Sequence, residues 1–582
     1  MALYVDPALP VEARASALLV EMTLAEKIGQ ITQVEKNSLT ADDVREHAIG
    51  SVLSGGGGAP ADNTPAGWRA MVSAFQAAAL DTRLGIPLLY GVDAVHGHNN
   101  VWGATIFPHN IGLGAAGDPA LVERIGAATA VELLATGIPW NFAPTIAVPH
   151  DIRWGRTYEG YGAETALVST LGAAYVRGLQ GGPTRVAATA KHYVGDGSTV
   201  FGTSRTENLG VPYLLDQGDT LLAEAVLRER LLPPYRAALA AGALTVMASF
   251  NSWQGTKLHA HRYLLTEVLK GELGFSGFVV SDWQAIDQIT DDYAQAVVCA
   301  LNAGVDMVMV PFAWPAFVRA ATRAVESGAV PLHRLDDAVR RILTVKLKLG
   351  LFEQPLPGAG QLAEVGSPAH RCLARTAVQE SLVLLKNDRA ALPIAQDTPV
   401  VFVGGAAADD IGRQCGGWTI SWLGARGATT PGTTVLAGLR AALEPATRVE
   451  FNAAGAFTGR APLGIAVIAE EPYAEGHGDR AALDLPPDAM ALVIRLRGCC
   501  DRLVLVLLSG RPLIVTGLLP LVDALVAAWL PGTEGAGVAD GLTGAAPFTG
   551  RLSYAWPRAN AQLPLGPVGG DPLFPVGFGL TC

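Results

Sequence analysis

The sequence predicts an α/β protein: a (β/α)8-like TIM barrel followed by an α/β sandwich domain. Three observations predict it. Short apolar runs of strand length alternate with helical, Ala/Leu/Glu/Arg-rich stretches as far as Leu351. A Pro/Gly-rich stretch, FEQPLPGAGQLAEVG, then breaks the pattern, and from about Ala369 the alternation resumes. Such alternation implies parallel strands joined by right-handed crossovers. Strands buried on both faces read as continuous apolar runs, as these do.

In chain order, strands are expected at Ile49–Ser54, Pro87–Val92, Pro139–Ala143, Val186–Lys191, Thr245–Phe250, Phe278–Asp282 and Val305–Val310. Helical patterns between them include Pro119–Thr136, Glu164–Leu179, Leu221–Ala241 and Asp291–Asn302, and RRILTVKLKLGL (Arg340 to Leu351) reads as the last helix. These strands fall one short of a closed eight-stranded barrel. After the linker, further strands are expected at Val400–Val403, Ile465–Ala469, Leu503–Leu508 and Ala524–Trp529. Four to six parallel strands with intervening helices suggest a doubly wound sandwich. The organisation read this way is a barrel over 1–352, a linker over 353–368, a sandwich over 369–550 and a Pro/Gly-rich tail, 551–582, that wraps a surface.

Composition narrows the function. Half of the 582 residues are hydrophobic, yet no uncharged apolar run reaches the roughly 18 residues of a membrane span. A net charge of −11 argues against nucleic acid, which needs clustered Lys and Arg. The cysteines are Cys299, Cys372, Cys415, Cys499, Cys500 and Cys582; no CxxC pair or zinc spacing occurs, so no metal is expected and the thiols read as functionally silent. A bridge between the adjacent Cys499 and Cys500 would be strained. No cofactor is expected either. Gly55–Gly58 lacks the GK[ST] ending of a phosphate loop, and VFVGGAAAD lacks GxGxxG. The N-terminus shows no basic-then-apolar leader, so the chain reads as cytoplasmic, or as periplasmic or secreted if a signal peptide has been removed. A monomer or homodimer is expected.

In parallel α/β architectures the carboxyl ends of the strands line the functional crevice. The polar residues that follow each apolar run are Asp93, His96, His98 and Asn99; Arg153, Trp154 and Arg156; Lys191, His192 and Asp196; Phe250, Asn251 and Trp253; Asp282 and Trp283; and Glu470, Glu471, Tyr473 and Glu475. Carboxylates, a Lys–His pair, Arg and several Trp suit a sugar, whose hydroxyls take hydrogen bonds and whose C–H faces stack on indoles. Glycoside hydrolysis generally needs two carboxyl groups flanking the bond.

At these residues the chain resembles glycoside hydrolase family 3, nearest to the plant and bacterial β-D-glucan exohydrolases. The resemblance runs nearly end to end: MTLAEKIGQ, YGVDAVHGHNNVWGATIFPHNIGLGA, DIRWGRTYEGYG, AKHYVGDG, GFVVSDW, SLVLLKN, QCGGWTISW, EEPYAEGHGD, WLPGTEGAGVAD and DPLFPVGFGLT occur in family order. It implies a retaining, exo-acting β-glucosidase that releases glucose from β-gluco-oligosaccharides and from aryl or alkyl β-glucosides, with its site between the two domains. By that match Asp282 is the nucleophile and Glu475 the acid/base. Glu470, Glu471 and Glu534 are the competing carboxylates. Asp93, Arg156, Lys191 and His192 would bind the outermost sugar. Trp283 and Trp422 would clamp the next one, with Trp418 and Phe250 also in the binding set. A β-xylosidase or broader β-glycosidase is the alternative. Phe250 stands where a Tyr is usual, which would leave Asp282 less stabilised as an anion. Gln288 stands where an Arg is common. FGTSRTENLG departs from the family, so Arg205 and Glu207 carry no role.

Overall fold

The computed structural model describes residues 3–183, 185–565 and 570–581. Its first eight parallel strands are β1 (Thr32–Glu35), β2 (Ser51–Ser54), β3 (Leu89–Val92), β4 (Trp140–Asn141), β5 (Ala187–Tyr193), β6 (Thr245–Ala248), β7 (Phe278–Val280) and β8 (Val308–Met309). They pair in the order β8-β1-β2-β3-β4-β5-β6-β7. A parallel bridge between Val280 and Met307 joins the two outer strands and closes the barrel.

The strand absent from the sequence reading is β1. Its residues, TQVE, are all buried although three are polar. Thr32 donates to the Ile28 carbonyl (2.7 Å), Gln33 Nε2 to the Ser51 hydroxyl (2.8 Å), and Glu35 accepts from the Asn37 amide (2.7 Å), so each polar side chain has a partner, although the Gln33 Oε1 has none among the described residues. Internal partners let a polar strand be buried, and a search for apolar runs passes over it. The expected helix over Leu221–Ala241 is also interrupted. It starts at Glu224, widens over Leu227–Leu231 and restarts as Pro233–Ala240. Pro233 and Pro234 offer no amide to the preceding turn, which accounts for the break.

The second sheet holds β9 (Val383–Asn387), β10 (Val400–Gly404), β11 (Arg448–Asn452), β12 (Ala461–Ala469), β13 (Cys500–Leu508) and β14 (Ala524–Ala527), in the order β9-β14-β13-β12-β10-β11. All pairs are parallel except β9 with β14. An antiparallel edge strand on an otherwise parallel sheet is common. It corrects the all-parallel expectation.

One face of this sheet packs with Ile111, Ile152 and Tyr158 of the barrel unit. The other packs beneath the Val435–Ala442 and Ala536–Thr543 helices. Ser367 caps the Pro368–Ser381 helix, which sits at the junction of the two units. The tail is bound to both: the Arg551 amide donates to Ala115 (2.9 Å), the Tyr554 hydroxyl to Thr157 (3.3 Å), and Leu580 bridges Leu384. The five described cysteines are free thiols, while Cys582 lies outside the described residues. No helix among the described residues is long and apolar enough to cross a membrane.

Candidate active site

A cavity of about 450 Å³ opens over the carboxyl ends of the barrel strands and is roofed by residues of the second sheet's loops. Asp93 follows β3, Arg156 lies in the loop after β4, Lys191 and His192 lie within β5, Phe250 follows β6, and Asp282 and Trp283 follow β7. Trp418, Trp422 and Glu475 descend from the second domain. The ten residues given a catalytic or binding role by the family resemblance all line this one cavity. A larger groove of about 960 Å³, with His150, Arg153, Phe201 and Arg230 on its walls, shares none of its lining with the first. Its charged lining, Asp151, Glu164, Glu229, Arg153 and Arg230, includes the ion pair of Arg153 with Asp151 (2.6 Å). The smaller cavity holds two carboxyl groups, Asp282 and Glu475, that burial pushes up to about 6 and about 8, so chemistry rather than size selects it.

Asp282 is shaped by its own turn. The Trp283 amide donates to its Oδ1 (2.7 Å), and its own amide donates to Nε2 of His259 (3.0 Å). Its Oδ2 has no hydrogen-bond partner among the described residues, and His192 Nε2 stands 3.7 Å away. Burial pushes the carboxyl up to about 6, against the pull of Arg156, the Trp283 amide and Lys191. Phe250, with its ring centroid 6.1 Å from that of His259, has no hydroxyl to offer the free oxygen.

Glu475 reaches the cavity on a left-handed residue, φ 51°. A non-glycine residue there costs roughly 1–2 kcal/mol, so the loop must be held from outside. Asp479 holds it: Oδ1 accepts from the Gly155 amide (2.7 Å) and Oδ2 from the amides of Leu214, Leu215 and Asp216 (2.9, 2.7 and 2.8 Å). Fully buried Arg511 holds it too, donating to the carbonyls of Gly478 (2.5 Å) and Arg153 (3.0 Å) and to the Tyr473 hydroxyl (3.0 Å). Tyr158 donates to the Tyr473 carbonyl (2.7 Å). These contacts tie the second domain's loop to the barrel. Burial pushes the Glu475 carboxyl up to about 8. Arg156 opposes the rise, while the negative charges of Asp216, Asp282 and Glu159 add to it.

The cationic side is equally fixed. Arg156 is gripped by Glu159 through two hydrogen bonds of 2.9 Å, and Trp418 donates its indole N–H to the same Glu159 (3.1 Å). Lys191 donates to Asp93 Oδ1 (3.0 Å) and lies 5.8 Å from the Trp418 ring. His192 Nδ1 bonds Asp196 Oδ2 (2.7 Å). Burial pushes Asp196 up to about 8 and, with Arg156 and Lys191 nearby, holds His192 well below its ordinary value. Trp418 is buried. Trp283 and Trp422 are half-buried at the mouth, where Trp283 meets Phe312 edge-on (5.5 Å) and Trp422 meets His477 (5.2 Å).

The competing carboxylates lie elsewhere. Glu470 bonds Tyr473 and the Gly510 amide, Glu471 pairs with Arg413 and Arg426, and Glu534 pairs with Arg371; none lines the cavity. His96 and His109 stack on each other, also outside it. Gln288 does line it, bonded to Lys257 (2.8 Å) and Gln217 (2.8 Å), so a lysine behind the wall provides the nearby cation. Glu207, given no role in the sequence, stands at the rim beside Thr206 and Asn208. Sequence reasoning missed Glu159, Asp216, Asp479 and Arg511. Only the motif DIRWGRTYEG could have flagged Glu159, three residues from Arg156. Asp479 ends the motif EEPYAEGHGD, four residues from Glu475, but its partners, like those of Asp216 and Arg511, lie far away in the chain.

Comparison with known proteins agrees with the two-domain fold. Residues 23–345 match the glycosyl hydrolase family 3 N terminal domain, and residues 382–582 the glycosyl hydrolase family 3 C-terminal domain. The chain is 33% identical to a lysosomal beta glucosidase of Dictyostelium discoideum over 94% of its own length and 72% of that protein's. It is 30% identical to a periplasmic beta-glucosidase of Salmonella typhimurium over 95% of its length and 75% of the relative's. The crystal structure of a point mutant of an exo-1,3/1,4-beta-glucanase from a Pseudoalteromonas species superposes with a TM-score of 0.91 at 42% identity, covering 99% of this chain and 96% of that one.

Proposed function

From its membership of glycosyl hydrolase family 3, to which the chain belongs, and from the site geometry, we infer that it is an exo-acting β-glucosidase. It releases glucose from the non-reducing ends of β-glucosides and β-gluco-oligosaccharides, and we propose a retaining double displacement. The names of its relatives support the reaction class.

One observation carries the mechanism. Two carboxyl groups from separate domains share the cavity, and the environment pushes Glu475 to about 8 but Asp282 only to about 6. Near pH 7 the first is mostly protonated and the second mostly ionised, the division that acid and nucleophile require. The Trp283 amide occupies Oδ1 of Asp282, which leaves Oδ2 to attack the anomeric carbon. As that bond forms, the glycosidic C–O bond breaks, and Glu475 gives its proton to the departing oxygen. Glu475, now ionised, takes a proton from water. That water attacks the anomeric carbon, releases glucose and restores the Asp282 carboxylate. Asp93, Lys191, Arg156 and His192 supply hydroxyl partners deep in the cavity, and buried Trp418 closes its end, an arrangement suited to a chain terminus.

The test pairs Asp282→Ala with Glu475→Ala. Asp282→Ala should lower kcat by about 10⁵ or more for every leaving group. Glu475→Ala should lower turnover of poor leaving groups by about 10²–10⁴, spare dinitrophenyl glucosides, and regain rate with azide. Equal losses for both leaving groups would remove Glu475 from the acid role, and α-glucose as first product would exclude retention. Relative kcat/KM on aryl β-glucoside and β-xyloside distinguishes the xylosidase alternative.

A further inference from the structure

Strand β2 ends in four glycines, Gly55–Gly58, whose sequence excludes a phosphate cradle. Gly55 and Gly56 line the cavity between the two half-buried indoles at its mouth. A Cβ added to Gly55 would lie 2.8 Å from Cζ3 and 3.1 Å from Cη2 of Trp283, with the same ring's Cε3 next at 3.7 Å. The φ of Gly55 is outside the left-handed range, so the backbone itself admits a side chain here and the nearest opposing atoms all belong to that ring. Gly56 differs. Its added Cβ would lie 2.8 Å from Cα, 2.9 Å from Cβ and 3.2 Å from N of Trp422. It therefore meets the backbone of the second domain, in a segment whose Trp418 and Ile420 already hold positive φ (65° and 62°) and which is latched to the barrel by the bond from the Ile420 amide to the Asn99 carbonyl (2.9 Å).

We propose that Gly55 and Gly56 are specificity-determining positions: bare backbone at these two residues sets the width of the slot between Trp283 and Trp422, in which the second sugar of a β-linked glucan lies flat. The proposal rests on the β-glucosidase reading. A methyl at 55 drives the Trp283 ring into the slot. A methyl at 56 drives the 420–422 segment, and with it the Trp422 wall, away from the barrel. Each narrows or opens the outer position and leaves the innermost one, built from Asp93, Lys191, His192 and Arg156, in place.

The experiment measures laminaribiose kcat/KM and the Ki of glucono-δ-lactone, which fills only the innermost position, for wild type, G55A, G56A, W283A, W422A and the doubles G55A/W283A and G56A/W422A. G55A should lower laminaribiose kcat/KM about tenfold or more and move the lactone Ki less than about twofold. In the W283A background, adding G55A should change laminaribiose kcat/KM by less than about twofold, because the obstructing ring is gone. W422A should not relieve G56A, because Cα and Cβ remain. Multiplicative G55A and W283A effects, wild-type turnover by G55A, relief of G56A by W422A, or a parallel loss of lactone binding would each overturn the proposal. If G55A alone fails to fold, recovery of folded protein in G55A/W283A supports it and no recovery overturns it. A wild type that turns over no β-glucoside overturns the underlying reading, and the slot with it.

Discussion

Nη1 of Arg156 stands 3.5 Å from Oε1 of Glu475, across the boundary between barrel and sandwich. Because Arg156 is also held bidentately by Glu159, one guanidinium is shared between a permanent partner and a carboxyl that must change its protonation state. That sharing moderates the rise that burial imposes on Glu475.

The pH profile follows from this arrangement. Asp282 must be ionised, so kcat/KM should rise as pH increases through about 6; Glu475 must be protonated, so it should fall as pH increases through about 8. Arg156 lowers both groups, so Arg156→Met should move both limbs to higher pH. A profile measured on an aryl β-glucoside with either limb moving down would contradict the assigned role of Arg156.

Oδ2 of Asp282 has no hydrogen-bond partner among the described residues, and Phe250 lines the same cavity. Phe250→Tyr brings a hydroxyl able to donate to the ionised form, which lowers the pKa of a carboxyl. The acid limb should therefore shift below about 6 with the alkaline limb unchanged. An unmoved acid limb would show that the hydroxyl does not reach the carboxylate.

Asp196, pushed up to about 8, is protonated near neutrality and bonds Nδ1 of a neutral His192. A carboxylic acid donating to Nδ1 leaves the imidazole proton on Nε2, the nitrogen 3.7 Å from Asp282 Oδ2. Asp196→Asn keeps a donor and should stay within a few-fold of wild type. Asp196→Ala loses it and should cost about tenfold or more in kcat/KM. Equal rates for the two variants between pH 6 and 9 would rule out control of the tautomer.

Arg511 is fully buried, and its contacts bind the Gly478 and Tyr473 region to the barrel carbonyls of Ile152, Arg153 and Trp154. Arg511→Met leaves several carbonyls and the Glu470 charge, 3.5 Å away, without this partner. Losing one member of such a buried set costs about 3–5 kcal/mol. We expect a thermal midpoint lowered by several degrees, and poor leaving groups affected more than activated ones because the Glu475 loop loosens. An unchanged midpoint by calorimetry would show that Arg511 contributes little to the domain junction.

Much of the site was legible without coordinates. Asp93, Lys191, His192, Asp282 and Glu475 stand in short motifs at or just past the ends of apolar runs, and the rule that chemistry gathers at the carboxyl ends of parallel strands placed them together. Strand β1 was not legible, because three of its four residues are polar and the Gln33 partner, Ser51, lies on an adjacent strand. The antiparallel direction of β9 was hidden for a similar reason: pairing partners are chosen across space.

Residue types, their order and their spacing determined the barrel and the second α/β unit, because backbone periodicity is a local property, and the family resemblance of the short motifs picked out Asp282 and Glu475 among the carboxylates. Only the tertiary structure decided which carboxyl is the stronger acid, what holds the Glu475 loop in its left-handed turn, and why glycine stands opposite Trp283 and Trp422. Those outcomes depend on burial, on the field of Arg156, Asp216 and Glu159, and on interatomic gaps between distant parts of the chain. These quantities exist only once the two domains have closed on each other.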